Sequence, residues 1–288
     1  MNNKHTKYEH RVFLTLFLAA ITGVCHSTVL AKAQAKVLVI GGAGPSTEIT
    51  TLLAREFCRR HPDYTIHVPP KSIKHAGSLH WATEQKQIFG RLGRPLNTQD
   101  QKAFPTARAL PFGLVKVGFA VRKNLGVTTL TLSQFRDIVQ GSITNWEQVG
   151  GVDKRIILLG REKGESALAA LCQAYPFFEE VVFLKTFRKD HDMILALRQV
   201  PGAMGFAEWG ALSEHDELAV LHIEGFSCGL EVGLVYDVSR ENTEAVCLMQ
   251  AFVKSAPWQV FLEKSEQYAP LKKWSPDGRP GKKTGSHF

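Results

Sequence analysis

The segment covering residues 132–166 constrains the fold of this chain more than any other part of the sequence. Apolar residues recur at helical spacing from Leu132 to Val139, and Gly141 follows as a helix terminator. A short apolar run over 156–159 then predicts a strand that is buried on both faces. The glycine-bracketed loop 160–166 leads directly into the apolar pattern of another helix. This order of helix, turn, strand, loop and helix is typical of an α/β protein.

The first half of the sequence shows the same alternation. Residues 36–40, 64–68 and 114–121 are apolar or β-branched runs that predict strands. Between the first two runs, Ile49 and Phe57 belong to an apolar face at helical spacing. After the second run, Ser72 is a candidate N-cap for the next helix. We therefore expect an α/β fold whose sheet is largely parallel.

The N-terminal 35 residues predict a cleaved secretory signal peptide. A basic start is followed by an apolar run over 12–24 and by small residues suited to cleavage around 31–35. The run is shorter than the roughly 20 residues that a membrane-spanning helix needs. Val24 before Cys25 makes a poor lipidation signal, so we expect no lipid anchor. The sequence therefore predicts a periplasmic location for residues 36–288.

The bulk properties of the chain limit its function classes. The net charge of +8 suits an anionic ligand, but there is no arginine-rich arm, and we expect no nucleic-acid binding. Four cysteines follow the predicted cleavage site (Cys58, Cys172, Cys228 and Cys247). They allow two disulfides with three possible pairings, whereas the apolar helical stretches around Cys58 and Cys172 favour buried thiols at those two positions. Residues 272–288 predict a basic, flexible tail.

Three groups of residues together resemble the periplasmic phosphate-binding protein family, the substrate-binding component of ABC-type phosphate importers. The residues of the opening segment that match this family are Gly141, Ile143, Thr144, Asn145, Trp146, Val149, Gly150, Gly151, Gly160, Arg161, Glu162 and Gly164. The run 93–96 (GRPL) and the run 201–206 (PGAMGF) match two further motifs in the same order. The resemblance extends from Lys36 to about Leu271.

The resemblance implies a two-lobed clamshell of the type II periplasmic-binding-protein class, in which each lobe is a sheet flanked by helices. Residues 36–112 and 222–271 would form lobe I, and residues 113–221 would form lobe II. The chain would cross between lobes near 111–121 and near 218–235. The resemblance further implies that the protein captures a small, phosphate-like oxyanion between its lobes, delivers it to an ABC permease, works as a monomer, and needs no cofactor or metal.

Six residues are the candidate ligand-binding positions. Helix N-termini and hydroxyl groups hold oxyanions, and a guanidinium binds two oxygens at once. The candidates are Ser46, Thr47 and Ser72 in lobe I, and Arg161, Gly164 and Ser166 in lobe II. Each serine also has a plain interpretation as a helix cap. Arg161 has the alternative of an ion pair with Glu162 or Glu165 that leaves no contact to a ligand.

Two departures from the family motifs leave the ligand open. Glu165 and Ala167 stand in the family's Ser-Gly-Thr triplet, and no Asp lies near Ile88, where the family has an acceptor for the phosphate proton. Sulfate or an organic anion therefore competes with phosphate as the predicted ligand. A second hypothesis is an accessory or interaction protein that has lost the anion site.

The sequence favours no enzymatic activity. It contains neither an HExxH metal motif nor a GxSxG nucleophile elbow, although a secreted phosphatase on this fold is a third hypothesis. The glycine-rich run after the first strand has Thr47 in place of the third glycine of a dinucleotide fingerprint. It is also not followed by a Walker A lysine, so we expect no nucleotide binding.

Overall fold

A computed structural model describes residues 35–84 and 87–271 of the 288-residue chain. The predicted signal peptide before Ala35, Cys25 and the predicted basic tail lie outside the described residues. The strands are β1 (Lys36–Val39), β2 (Gly41–Gly42), β3 (Tyr64–His67), β4 (Gly90–Leu92), β5 (Ala107–Arg122), β6 (Thr129–Leu130), β7 (Ile157–Arg161), β8 (Lys185–Phe187), β9 (Ala203–Glu208), β10 (Leu218–Val220), β11 (His222–Ile223), β12 (Gly229–Asp237) and β13 (Tyr268–Ala269). The helices are α1 (Thr47–Arg60), α2 (Lys74–Thr83), α3 (Thr98–Ala103), α4 (Leu132–Val139), α5 (Ser166–Ala174), α6 (Asp190–Gln199), α7 (Trp209–Ser213), α8 (Glu244–Val253) and α9 (Ala256–Lys264).

A nine-stranded sheet forms the centre of the molecule. Its strand order is β2-β4-β12-β5-β9-β7-β8, and β10 and β13 pair with β5 beside this path. Strands β1 and β3 form a separate parallel pair, as do β6 and β11. Helices pack against the sheets, so the expected α/β class is confirmed.

Strand β5 joins two parts of this sheet. Residues Ala107 to Lys116 pair antiparallel with β12, and Val117 to Arg122 pair antiparallel with β9 and β10. We call β2, β4, β12, β13 and residues 107–116 the first half of the sheet. Residues 117–122, β7, β8, β9 and β10 are the second half. The expectation of a largely parallel sheet is wrong at this centre, because β5 passes through both halves and its neighbours return against it.

The change of partner within β5 falls inside the predicted crossing at 111–121. The second predicted crossing contains β12, which lies beside β5 in the first half. The exact lobe boundaries, 112/113 and 221/222, stay predictions.

Aromatic packing fixes the second half of the sheet. The Phe119 ring on β5 lies 4.7 Å from Phe135, 5.2 Å from Phe206 and 5.8 Å from Phe178, between ring centroids. Trp146 is fully buried, and its Nε1–H donates to the Gly202 carbonyl at 3.0 Å. The turn after α4 is therefore tied to the turn before β9.

Most predicted elements of the opening segment are confirmed by α4, β7 and α5. Helices α3 and α7 were not predicted, because each is short and carries no extended apolar face. The prediction that Ser72 caps α2 is wrong: the N-cap position is Ile73, and Ser72 lies one residue earlier. Within 35–84 and 87–271, none of the helices combines the length and apolar character needed to cross a membrane.

The four cysteines in the described part of the chain are free thiols. Cys228 is buried, Cys58 and Cys172 are partly buried, and Cys247 is exposed. Burial raises the pKa of the Cys228 thiol to about 12, which leaves it protonated and poorly nucleophilic. The interpretation as buried thiols, made for Cys58 and Cys172, is met only in part, because both are partly buried.

Candidate functional site

The glycine loop, residues 41–47, connects β2 to the N-terminus of α1. Gly42 has φ +157°, and a Cβ at this position would lie 2.2 Å from the Arg91 carbonyl oxygen, so only glycine fits. The Ala43 N–H donates to that same carbonyl at 3.0 Å. Among the described residues, the amides of Gly44 and Ser46 donate no hydrogen bond. These two N–H groups at the start of a 14-residue helix suit an anion.

The hydroxyl groups of the glycine loop point back into it. Ser46 is fully buried, and its Oγ donates to the Ala43 carbonyl at 3.2 Å. Thr47 is partly buried, and its Oγ1 makes a long contact of 3.5 Å with the same carbonyl. Thr47 is therefore freer than Ser46 to change partner, while Ser46 offers its amide rather than its side chain.

Ser72 is exposed beside the glycine loop. The Ile73 N–H donates to the Gly42 carbonyl at 3.0 Å, which joins the two chain segments. A Cβ placed on Gly44 would lie 3.6 Å from the Ser72 Oγ. The Ser72 Oγ accepts the Lys74 N–H at 3.2 Å, so its own proton remains available to a ligand. The structure thus brings Ser72 together with the glycine loop.

Arg91 connects the glycine loop to the neighbouring chain segments through hydrogen bonds to backbone carbonyls. Its side chain is fully buried, its Nε donates to the Ala43 carbonyl and one Nη to the Ile40 carbonyl, both at 2.9 Å. The other Nη makes a 3.5 Å contact with the Lys71 carbonyl. Burial lowers the pKa of this guanidinium, and it forms no ion pair with a carboxylate in the described chain. Its positive charge therefore remains uncompensated beneath the glycine loop.

Arg161 ends β7 in the second half of the sheet, and its charge is compensated. Its guanidinium donates to Asp190 Oδ1 at 2.5 Å, to Glu165 Oε2 at 2.9 Å and to the Arg188 carbonyl at 2.9 Å. The side chain is 5% exposed, and its Nε–H is buried without a hydrogen-bond partner among the described residues. This matches the alternative in which Arg161 is paired with Glu165.

Gly164 and Ser166 lie beside Arg161 in sequence but are exposed. Gly164 has φ +88°, with open space where a Cβ would lie, and Glu165 occupies the N-cap of α5. Ser166 is the first residue of that helix, and its side chain has no hydrogen bond in the described chain. A carboxylate at the N-cap satisfies the helix dipole that an anionic ligand would otherwise use.

Four carboxyl groups near Arg161 and the N-terminus of α1 act electrostatically on one another. We call them the acidic cluster: Glu48, Glu165, Asp190 and Glu208. The backbone N–H of Glu208 donates to the Asp190 carboxylate. Burial, and then the charge of Asp190, raise the pKa of Glu208 to about 8. Burial also raises the pKa of Asp190, against the opposing effect of Arg161. The Tyr268 hydroxyl donates to Glu48, whose charge also acts on Glu208.

A cavity of about 470 Å³ lies between α1 and α7. It is lined by Gly44, Pro45, Thr47, Glu48, Thr51, Leu52, Val115, Glu208, Gly210, Ala211, Glu214, Gln267 and Tyr268. Of the six residues predicted from sequence, Thr47 contributes to this lining, and the other five do not. The charged side chains among the lining residues are all carboxylates: Glu48, Glu208 and Glu214.

The described residues contain no group of three or more His, Cys, Asp or Glu side chains arranged to hold a metal ion. The acidic cluster is assembled from several elements. Its members come from α1, from the loop after β7, from α6 and from the end of β9, so it bridges the two halves of the sheet.

Sequence comparison identifies the family. A family model described as a PBP superfamily domain matches residues 29–225, which is more than half of the chain. The chain belongs to the PBP superfamily.

One relative of this chain is named as a phosphate-binding protein. The chain is 23% identical over 191 residues to the phosphate-binding protein PstS of Bacillus subtilis (strain 168), covering 65% of this chain and 62% of that protein. The match thus spans less than two thirds of the relative's length.

Several solved structures have a similar fold. A protein of Clostridium perfringens assigned as a phosphate ABC transporter substrate-binding protein, solved with bound phosphate, has a TM-score of 0.57 at 21% identity, covering 82% of this chain and all of that one. The sulfate-bound regulatory domain of an OxyR2 variant from Vibrio vulnificus has a TM-score of 0.53 at 12% identity, covering 77% and 96%. At these identities the similarity shows the α/β fold alone.

Sequence reasoning missed Asp190, Glu208 and the role of Arg91. None of these three residues was among the six candidate positions. A topological signal existed, because β7, β8 and β9 are parallel neighbours. The carboxyl ends of parallel strands meet at one sheet edge, where Arg161 ends β7, Asp190 follows β8 and Glu208 ends β9.

Proposed function

We propose that this chain is an extracytoplasmic solute-binding protein that captures a small solute with a phosphate-like oxyanion group between its two lobes. The observation that carries the proposal is the glycine loop. It offers the exposed amide of Gly44 and the exposed hydroxyl of Ser72, together with the unpaired amide of the buried Ser46, beside a buried arginine that no described carboxylate neutralises. Backbone amides, a helix N-terminus and a fixed positive charge together favour an anion.

The glycine loop, in the first half of the sheet, is a better anion site than the guanidinium of Arg161. The guanidinium of Arg161 already donates to two carboxylates, so a ligand would have to displace one of them. By contrast, nothing in the described chain occupies the Gly44 and Ser46 amides. We therefore assign the first contacts of the oxyanion to Ser72, to Thr47 and to these amides, and a secondary role to Arg161, Gly164 and Ser166.

Capture would be non-catalytic and would end in closure of one lobe against the other. A ligand biases such a hinge only through contacts that exist in the closed form. The acidic cluster, with members on both halves of the sheet, is the surface that closure would bring against the glycine loop. The relatives named as phosphate ABC transporter components support an ABC permease as the partner that receives the solute.

Thermal unfolding in a panel of oxyanions tests the proposal. A solute at 100 times its dissociation constant stabilises the folded chain by about 2.7 kcal/mol. Phosphate, sulfate, molybdate and methylphosphonate are added separately at concentrations low enough to avoid general salt effects. We expect at least one of them to raise the Tm of the purified chain.

Two aspartate variants make this test specific. Ser72→Asp places a negative charge beside the glycine loop, and we expect it to abolish the stabilisation. Ser142→Asp makes the same change at an exposed serine in the turn after α4, and we expect the response to be kept. A Tm that no oxyanion raises, or a response that Ser72→Asp keeps in full, would overturn the proposed function.

A second candidate function is an accessory or interaction protein without a small ligand. The pairing of Arg161 with Asp190 and Glu165 favours it, because the charge most suited to an anion is already used. Val182 and Leu184 before β8 add an apolar surface, being 85% and 72% exposed. An absence of any oxyanion response would move this candidate to first place.

A further inference from the structure

The charged side chains that line the cavity between α1 and α7 are carboxylates, including Glu48 on the α1 side, and the positive charge of Arg91 is buried behind the glycine loop. The glycine loop, with Gly44 and Thr47, lies on one side of the cavity, and Glu208 lies on the other. An anion alone would be attracted to the glycine loop and repelled by the carboxylates.

Glu208 is the group whose partner is missing. Its carboxyl lines the cavity and is hydrogen-bonded to no described residue, although it is more than half buried. The groups that face it are Asp190 on α6, Arg161 at the end of β7 and Glu48 on α1. Arg161 is already committed to Asp190 and Glu165, so no free cation in the described chain compensates Glu208. A buried carboxyl in this position is stabilised as an ion only when a positive group comes near it.

A second observation concerns Arg161, whose charge acts on Glu208 although its side chain does not itself line the cavity. The guanidinium of Arg161 lies among these carboxylates with 5% of its side chain exposed, and its buried Nε–H has no acceptor in the described chain. A buried donor without a partner destabilises the protein until an acceptor atom reaches it. An acceptor oxygen on a bound solute would satisfy this donor, and a positive group on the same solute would satisfy Glu208.

We propose that the solute is a small zwitterion, with its oxyanion group at the glycine loop and a protonated amine at Glu208 and Asp190. This inference rests on the proposed function and specifies its ligand class. The cavity of about 470 Å³ is large enough for a compact molecule that carries both groups. The carboxylates that discourage plain phosphate then become the groups that select for the amine.

A matched pair of probes tests the inference. 2-Aminoethylphosphonate and ethylphosphonate differ by the amine and share the oxyanion group. We expect calorimetric titration of the purified, refolded chain near pH 7.5 to show at least tenfold tighter binding of the amine-bearing probe. The amine also changes the acidity of the phosphonate, so a variant must separate this effect from contact with the protein.

Glu208→Gln provides that separation, since it removes the charge and keeps the shape. We expect this variant to bind the two phosphonates equally, at the affinity that the unchanged chain has for ethylphosphonate. A preference that arose from phosphonate acidity would persist in the variant and would overturn the inference. Glu214→Gln removes a second cavity carboxylate that does not act on Glu208, and we expect it to keep the preference.

The remaining outcomes separate the two proposals. Equal or weaker binding of the amine-bearing probe by the unchanged chain, with ethylphosphonate or phosphate bound, would overturn the zwitterion and leave the proposed function standing. Loss of the preference in Glu214→Gln to the same degree as in Glu208→Gln would overturn the assignment of the amine to Glu208. Absence of binding by phosphate and both phosphonates would overturn the proposed function and the inference with it.

Discussion

Two buried arginines carry the same charge but meet different partners. Arg91 donates to backbone carbonyls and has no carboxylate partner in the described chain, whereas Arg161 is held by Asp190 and Glu165. Carbonyl partners leave the full charge in place, and carboxylate partners cancel it. The residue that looks like a ligand-binding arginine in the sequence is therefore the neutralised one, and the anion-attracting charge comes from Arg91.

Replacing Arg91 tests its role as a support for the glycine loop. Arg91→Met removes the guanidinium donor from the Ile40 carbonyl and one of the donors from the Ala43 carbonyl, and we expect the free energy of unfolding to fall by about 2–4 kcal/mol. Urea unfolding monitored by circular dichroism measures this change. Arg59→Met is the control, because Arg59 is an exposed partner of Glu56, and its loss is expected to remain below about 1 kcal/mol. Equal effects of the two variants would contradict a supporting role for Arg91.

Glu208 predicts a pH dependence of stability with a defined sign. Its pKa is about 8 in the folded chain, against 4.5 for the ordinary group. Between these values the folded state holds a proton that the unfolded state has released, so stability falls as the pH rises from about 4.5 to about 8. The slope from one such group reaches at most about 1.4 kcal/mol per pH unit.

Unfolding measured in urea at several pH values tests this dependence. Glu208→Gln removes the titrating group, and we expect its stability to decline less over the same window and to exceed that of the unchanged chain near pH 8.5. Glu214→Gln serves as the matched control and should follow the unchanged chain. Parallel curves for Glu208→Gln and the unchanged chain would show that this carboxyl does not titrate in the window.

The connection from β2 to α1 depends on a glycine that no other residue can replace. Two conditions meet at Gly42: a positive φ and a backbone oxygen where the Cβ would be. At Gly164, before α5, the first condition holds and the second does not. The two loops of the candidate site therefore differ in how strictly their shape is fixed.

Alanine substitutions separate these two conditions. Gly42→Ala must displace β4 or the loop, and we expect it to destabilise the chain by at least about 3 kcal/mol. Gly164→Ala introduces backbone strain without a steric clash, and we expect it to lower the free energy of unfolding by about 1–2 kcal/mol. The difference between their unfolding free energies measures the steric part. Equal unfolding free energies for the two variants would show that the glycine loop can shift to accommodate the added Cβ without a steric cost.

The sequence predicted the regular elements well where an apolar pattern extended over several residues. The α4–β7–α5 segment follows its motif closely, and the buried Trp146 explains why that motif is compact. The long central strand was predicted over 114–121 and runs from Ala107 to Arg122, because its outer residues gain partners only through β12, β9 and β10. Antiparallel pairing of this kind comes from distant segments and leaves no local signal.

The site was harder to predict than the fold, because its charges come together only in three dimensions. Serine and glycine positions at helix starts were visible in the sequence, and Ser72 does lie beside Gly44. The pairing of Arg161 with Asp190 joins residues 29 positions apart, and the contact of Arg91 with Ile40 joins residues 51 positions apart. The balance between an anion site and an acidic cluster therefore depends on the whole molecule.

Calorimetric titration of the refolded chain with inorganic phosphate, compared with Ser72→Asp and Ser142→Asp, is the measurement that tests anion capture most directly. We expect one phosphate ion per chain to bind to the unchanged protein and to Ser142→Asp but not to Ser72→Asp, even where a zwitterionic phosphonate binds more tightly. Absence of heat in the unchanged chain with phosphate and with both phosphonates, or equal binding by Ser72→Asp, would contradict the assignment of the glycine loop as an anion site.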